Sequence, residues 1–389
     1  MKILHLIYTN GVAGAEKYLV HLLPPLRKLG FNCHLVIVCA PGAEENLKNY
    51  CNILLEKQVP VKLIITSRRN FFNTARSINN YLKEQSIKII HSHLLNSDLL
   101  ATMVKVFFNK DIILISTKHG YKESIQKRIN GSLNIKSLKN VARRDMYYHI
   151  TKYVVKKTEY NYAVSNAIGM FYYNLGLSSQ IMPFIHHGVA IEETKINETG
   201  KFRFSNQQLV VVGRLEAIKG HKYLLQAMPM VIEQFPYCKL LIIGEGAEKQ
   251  NLHQLVSKLN MENNIDFLGF KSDPYSYVKN SDVAVLPFFF ESFGLVYIEA
   301  FALETPIVAF DTAAGNEIMI HNETSLLVPP GDVKELARQI INLLQNPNLA
   351  KSLAEAAKKR YTENFSTERM VKETADFYKK IHQEKKFSQ

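Results

Sequence analysis

Four charged side chains and one short turn carry most of the chemical information in this sequence of 389 residues: Arg214, Lys219, Glu291 and Glu299, with Ser292-Phe293-Gly294. Arg214 follows the apolar segment Leu209–Gly213, and Lys219 stands just before a segment of helical period. A guanidinium grips a diphosphate through its planar fork, and an ammonium acts on it as a point charge. Glu291 comes after a strand-like run ending at Leu286-Pro287, and Glu299 is expected about two turns into the helix that follows, at roughly 3.6 residues per turn. Ser292 and Gly294 let the backbone turn sharply, which would set the N–H groups of Phe293, Gly294 and Leu295 at a helix N-terminus, a natural anion site. One carboxylate then reaches beyond the anion and the other behind it, the layout of a sugar, a diphosphate and a ribose.

Each feature has a plainer explanation. Glu-x7-Glu occurs on many solvated helix faces, and loop cations are common. Two observations raise the pattern above chance. Glu299 sits among Val296, Ile298, Ala300 and Phe301, where an acid is costly unless paired. Both cations and Glu291 follow strand ends, where open α/β sheets bind ligands.

Those strand ends belong to a regular alternation. Strands are expected at Lys2–Tyr8, Asn32–Cys39, Val61–Ile65, Ile87–Ser92, Ile112–Thr117, Tyr160–Val164 and Ile181–Ile185, separated by helical periods. From His186 to Gln208 the pattern is polar and irregular, and it resumes at Leu209. Alternating strands and helices predict an α/β chain with doubly wound parallel sheets. The domains read as 1–188, joined by a terminal helix at 366–389, then a linker 189–206, then 207–365. The turn Gly11–Glu16 after the first strand, including Gly14, would let a phosphate or sugar approach the backbone. Two strands run into histidines: His91-Ser92-His93, expected to be structural, and Lys118-His119-Gly120.

Composition sets outer limits. Lys+Arg 48 against Asp+Glu 35 gives a formal net charge of +13, which favours anionic partners. Basic residues are dense from Tyr121 to Lys157, interleaved with Tyr147, Tyr148 and Tyr153, and Ile125, Ile129, Leu133 and Leu138 recur near helical spacing. That pattern suggests a helix lying on an anionic membrane surface. Nucleic acid is not expected, because no recognised binding module occurs. The four cysteines lack metal spacing and read as reduced core residues. No apolar run reaches transmembrane length, and the first apolar segment is too short for a signal peptide. A cytoplasmic protein, peripheral on the inner membrane face at most, is therefore expected.

The motifs Gly213-Arg214…Lys219-Gly220, Gly244-Glu245-Gly246, Glu291-Ser292-Phe293-Gly294…Glu299 and Leu326–Asp332 resemble the C-terminal half of glycosyltransferase family 4. The Gly11–Glu16 turn and His119-Gly120 resemble its N-terminal half. The resemblance implies a GT-B fold, two Rossmann-like domains facing a central cleft, and a retaining, metal-independent enzyme with no cofactor. Its donor would be a nucleotide sugar, a UDP-sugar before a GDP-sugar. A hexose or N-acetylhexosamine would pass to a hydroxyl of a growing glycan or lipid-linked acceptor, as in polysaccharide or glycolipid synthesis.

Residue by residue, the resemblance implies that Arg214 and Lys219 hold the donor diphosphate with the N–H groups of Phe293, Gly294 and Leu295. Glu299 would bind ribose, Glu291 and His119 the transferred sugar, and Phe270 the base through its backbone. Gly14 would allow close approach. The family's Asn-Gly near the linker is His187-Gly188 here, and its paired glycines are replaced at Thr312–Glu317, which leaves the sugar open. The rival readings are an epimerase or hydrolase on the same fold, or a non-catalytic sugar-nucleotide-binding subunit.

Overall fold

The computed structural model describes residues 1–67, 70–120, 146–191, 196, 202–271 and 274–386. The expectations that fall on 121–145 lie outside the described residues. The chain divides into two compact units. One runs through Gly188 and resumes with Thr367–Gln389; the other is Val189–Ser366.

The first unit contains strands β1 (Lys2–Tyr8), β2 (Asn32–Cys39), β3 (Val61–Ile65), β4 (Ile89–His93), β5 (Ile113–Lys118) and β6 (Tyr160–Ala163). They form one parallel sheet in the order β3-β2-β1-β4-β5-β6. β1 and β2 are almost continuously apolar because helices cover both faces. Ile3 and Ile7 pack on one face with the helices Gly14–Lys28 and Thr367–Lys386, while Leu4 and Leu6 pack on the other with Phe71–Glu84 and Leu95–Phe107. The terminal helix buries Met370, Val371, Tyr378 and Ile381 in the first of these cores. Each such side chain contributes roughly 1.5–3 kcal/mol, enough to hold a chain end that returns from another unit.

Ile181–Ile185 is not a strand. Only an isolated bridge joins Ala163 to Phe184. Pro183 is the reason: its carbonyl accepts from the Ala163 N–H at 2.8 Å, but it has no N–H to continue a ladder.

The second unit contains β7 (Gln208–Val212), β8 (Lys239–Ile243), β9 (Ile265–Gly269), β10 (Val283–Leu286), β11 (Ile307–Phe310) and β12 (Leu326–Val328), in the order β12-β11-β10-β7-β8-β9. Counted from its own first strand, this repeats the order of the first sheet. Each sheet therefore has one switch point, between β1 and β4 and between β7 and β10, where successive connections leave in opposite directions. Among the described residues, no helix is long and apolar enough to cross a membrane.

Candidate functional site

The loop after β7 carries Arg214 and Lys219, and the loop after β10 carries Glu291 and Gly294, so both open from the switch point of the second sheet. They are tied together through the backbone: the Phe289 N–H donates to the Ile218 carbonyl at 3.0 Å. Gly220 has φ +64°, and a Cβ there would stand 1.9 Å from the Pro287 carbonyl oxygen. No side chain fits that approach. Gly220→Ala is expected to destabilise the second unit by about 2–4 kcal/mol, through a forced shift of one loop against the other. A urea melt that matches the parent protein would refute this.

On that junction Lys219 Nζ is paired with Glu291 Oε1, their side chains only 12% and 18% exposed. The ammonium also lies 4.4 Å from the centre of the Phe288 ring, a cation–π contact that further fixes it. Arg214 is placed differently. It is 56% exposed and its Nη1 donates to Glu216 Oε1 at 2.8 Å. The two expected phosphate ligands thus share a loop, but Lys219 is the one held rigidly.

The helix Leu295–Ala302 begins at Gly294, in the left-handed region at φ +96°. A Cβ at Gly294 would meet the Tyr297 ring at 2.3 Å. The first N–H groups of a helix have no carbonyl one turn back, and Leu295 stands first in this one. Phe293 buries its ring, 6.0 Å from that of Phe365. Glu299 lies little more than one turn into this helix, not two, because the helix starts after the turn rather than at Glu291. It is 5% exposed and accepts from the Tyr275 hydroxyl at 3.3 Å. Phe270 directly follows β9, its side chain 69% exposed, beyond Gly269 whose carbonyl accepts from Gly244 N–H at 2.9 Å.

Sequence reasoning missed three neighbours. Phe288 and Tyr275 gave no signal beyond their types. His221, first in the helix after Gly220, is 3% exposed, and neither ring nitrogen has a hydrogen-bond partner. Burial first, then nearby Lys219, lowers its pKa to about 3, so it is neutral.

In the first unit Gly14 opens the helix after β1, where the Ala13 N–H donates to Glu16 Oε2 at 2.8 Å. His119 directly follows β5. Itself only half-buried, it ends a layer of buried imidazoles that the sequence only hinted at. Register sets Ile7, His93, Thr117 and Tyr162 in one cross-strand row, and His5, His91 and Ile115 in the next. Side chains alternate faces, so His91 and His93 share one face while Ser92 points to the other, where its hydroxyl meets Asp98 at 2.5 Å. Asp98 also pairs with Lys118 at 2.7 Å, both nearly inaccessible. Burial lowers His5 and His119 to about 3 and carries His91, His93 and His187 well below the ordinary range. His5, His91 and His93 bring potential ligand atoms within 4.8 Å of one another, but those nitrogens already face hydrogen-bond partners.

The basic stretch is described only from Met146. The helix Met146–Lys157 exposes Lys152, Lys156 and Lys157. It buries Tyr148, whose hydroxyl donates to the Leu175 carbonyl at 3.1 Å. That tyrosine belongs to the core and not to a surface aromatic set.

Two family models match the chain: Glycosyltransferase Family 4 over residues 12–193 and Glycosyl transferases group 1 over residues 193–360. The Bacillus subtilis protein named "Putative glycosyltransferase EpsD" is 32% identical over 188 residues, and this match spans 48% of the chain and only about half, 49%, of that protein. The N-acetylgalactosamine-N,N'-diacetylbacillosaminyl-diphospho-undecaprenol 4-alpha-N-acetylgalactosaminyltransferase of Campylobacter jejuni is 24% identical over 91% of this chain and 93% of its own. Anabaena HepE, solved in complex with UDP-glucose, superposes with a TM-score of 0.76 at 19% identity, covering 98% of this chain and 100% of that one. The two six-stranded parallel sheets with flanking helices have the GT-B architecture.

Proposed function

Because the chain belongs to glycosyltransferase family 4, we propose that it transfers a hexose or N-acetylhexosamine from a UDP-sugar to a hydroxyl of a glycan or lipid-linked acceptor, with retention at the anomeric carbon. The observation that carries this is the junction at the second switch point, where Lys219, held by Glu291 and Phe288, adjoins a helix start at Gly294. Breaking the sugar–phosphate bond leaves negative charge on the diphosphate. A fixed ammonium and preset amide dipoles stabilise that charge without having to reorganise. The acceptor oxygen bonds to the anomeric carbon on the face the diphosphate leaves, and its proton passes to a diphosphate oxygen. No protein nucleophile is needed. Glu291 serves to aim Lys219 and to accept from sugar hydroxyls, and Glu299, steadied by Tyr275, accepts from the ribose. His119 contacts the sugar, and the amide groups beside Phe270 meet the base.

The UDP-glucose complex of HepE supports the choice of donor, and the Campylobacter jejuni relative supports a lipid-linked acceptor. Thermal shift with UDP-glucose, UDP-N-acetylglucosamine and GDP-mannose tests the donor. A fitting ligand at about 100 times its Kd adds about 2.7 kcal/mol of stability. No shift with any of them refutes the reading. Turnover that needs an acceptor separates a transferase from an epimerase or hydrolase, and binding without turnover would indicate a non-catalytic subunit.

Contact with an anionic membrane through Tyr121–Lys157 is part of the proposal, supported by the three exposed lysines of Met146–Lys157. Sedimentation with vesicles should recover more protein on phosphatidylserine than on phosphatidylcholine, and added salt should abolish the difference. Equal recovery on both refutes it.

A further inference from the structure

The buried histidines of the first unit form a line, not merely a cluster. His91 Nε2 lies 2.7 Å from Thr117 Oγ1, and His91 Nδ1 lies 2.6 Å from the Tyr378 hydroxyl. That hydroxyl is 3.3 Å from His5 Nε2. His5 Nδ1 is 3.1 Å from His93 Nε2, and His93 Nδ1 is 3.0 Å from His119 Nε2. The line stops at His119 Nδ1, which is buried and has no partner. Every link joins one ring nitrogen or hydroxyl to the next, and none branches between imidazoles.

A neutral imidazole has one N–H and one bare nitrogen. Two bare nitrogens or two N–H groups facing each other leave a buried link unmade, at a cost of about 1–3 kcal/mol. Only two proton arrangements satisfy every link and also use every donor along the line. In one, all four histidines carry the proton on Nδ1: Thr117 donates to His91, His91 to Tyr378, Tyr378 to His5, His5 to His93 and His93 to His119. In the other, every arrow is reversed and all four carry it on Nε2. Every mixture either breaks a link or, where Tyr378 accepts from both His91 Nδ1–H and His5 Nε2–H, leaves the buried Tyr378 O–H without an acceptor.

We propose that Thr117, His91, Tyr378, His5 and His93 are positioning residues for His119, joining four imidazoles into one two-state unit that decides whether His119 Nδ1 meets its ligand as donor or acceptor. Three of the strands and the terminal helix thereby act on one nitrogen. Burial keeps His5, His91, His93 and His119 uncharged, so what changes is the position of the proton and not the net charge. The ligand identity, an oxygen of the sugar nucleotide, rests on the proposed function; the coupling does not.

The test is nitrogen NMR of the full-length protein with 15N-labelled histidine, reading each tautomer at pH 7.5 in the parent, Thr117→Val and Tyr378→Phe. Free imidazole side chains prefer Nε2–H. Thr117→Val removes the acceptor that a His91 Nε2–H needs, and so should drive all four histidines to Nδ1–H, His119 included, though it is the far end of the line. Tyr378→Phe strands a His5 Nε2–H, and so should do the same to His5, His93 and His119 while freeing His91. A parent protein already at Nδ1–H throughout also supports the coupling. Mixed tautomers in the parent overturn it. So does a parent at Nε2–H whose His119 signals stay unchanged in both variants. Because the readout needs no substrate, failure to use any nucleotide sugar would refute the proposed function and leave this result standing.

Discussion

Lys219→Ala is expected to lower kcat by about 10²–10³-fold, the cost of removing one preset donor from a developing oxyanion. The figure follows from how the lysine is held. Its ammonium is largely buried, paired with Glu291 and seated over Phe288, so little ordering remains to be done when a diphosphate arrives. The effect should fall on kcat more than on KM, since the leaving group gains charge in the transition state. Arg214→Ala should cost less, about tenfold, because that side chain is more than half exposed and engaged with Glu216, and exposed pairs contribute about 0–1 kcal/mol. Glu291→Gln keeps the shape but loses the charge that fixes Lys219. If Glu291 works through Lys219, the two substitutions will not be additive. Steady-state kinetics of the two single variants and the double decide this. Lys219→Ala within tenfold of the parent, with unchanged donor saturation, would remove Lys219 from the chemistry.

The strands were legible to within a residue or two because a sheet covered on both faces writes itself as apolar runs. Lys2–Tyr8, Asn32–Cys39 and Val61–Ile65 are as expected. The failure at Ile181–Ile185 is equally physical, since an apolar run satisfies periodicity while its proline denies the ladder. In the site, spacing placed Lys219, Glu291 and Gly294 on connected loops because strand ends are easy to locate. It gave no sign that Lys219 and Glu291 face each other, a matter of how two loops 72 residues apart cross the switch point. Glu299 was recognised as an acid needing a partner, but the partner, Tyr275, comes from a separate short helix. The imidazole line was least legible. His91-Ser92-His93 shows period two, but His5 and Tyr378 join it through strand register and a helix from the far end of the chain.

That same layer predicts acid lability concentrated in the first unit. The folded pKa values of His5, His91, His93, His119 and His187 lie below the unfolded value of about 6.5. The unfolded chain therefore binds more protons, and stability rises with pH. It is fully present above pH 6.5 and is lost as pH falls below it, toward the folded values. Each histidine withdraws up to about 1.4 kcal/mol per pH unit in that range. Between pH 7.5 and 5.5 these losses fall together on one unit, against a total of about 5–15 kcal/mol for a domain. Only His221 acts this way among the described histidines of the second unit that show a shift. Hydrogen exchange should therefore show β1, β4 and β5 opening near pH 5.5 while β7, β10 and β11 stay protected. Carboxylate protonation cannot imitate this, since unperturbed Asp and Glu titrate near pH 4. Equal protection of both sheets at pH 5.5 would mean that the imidazoles are charged and solvated in the folded protein, and that the hydrogen-bonded line does not exist in solution.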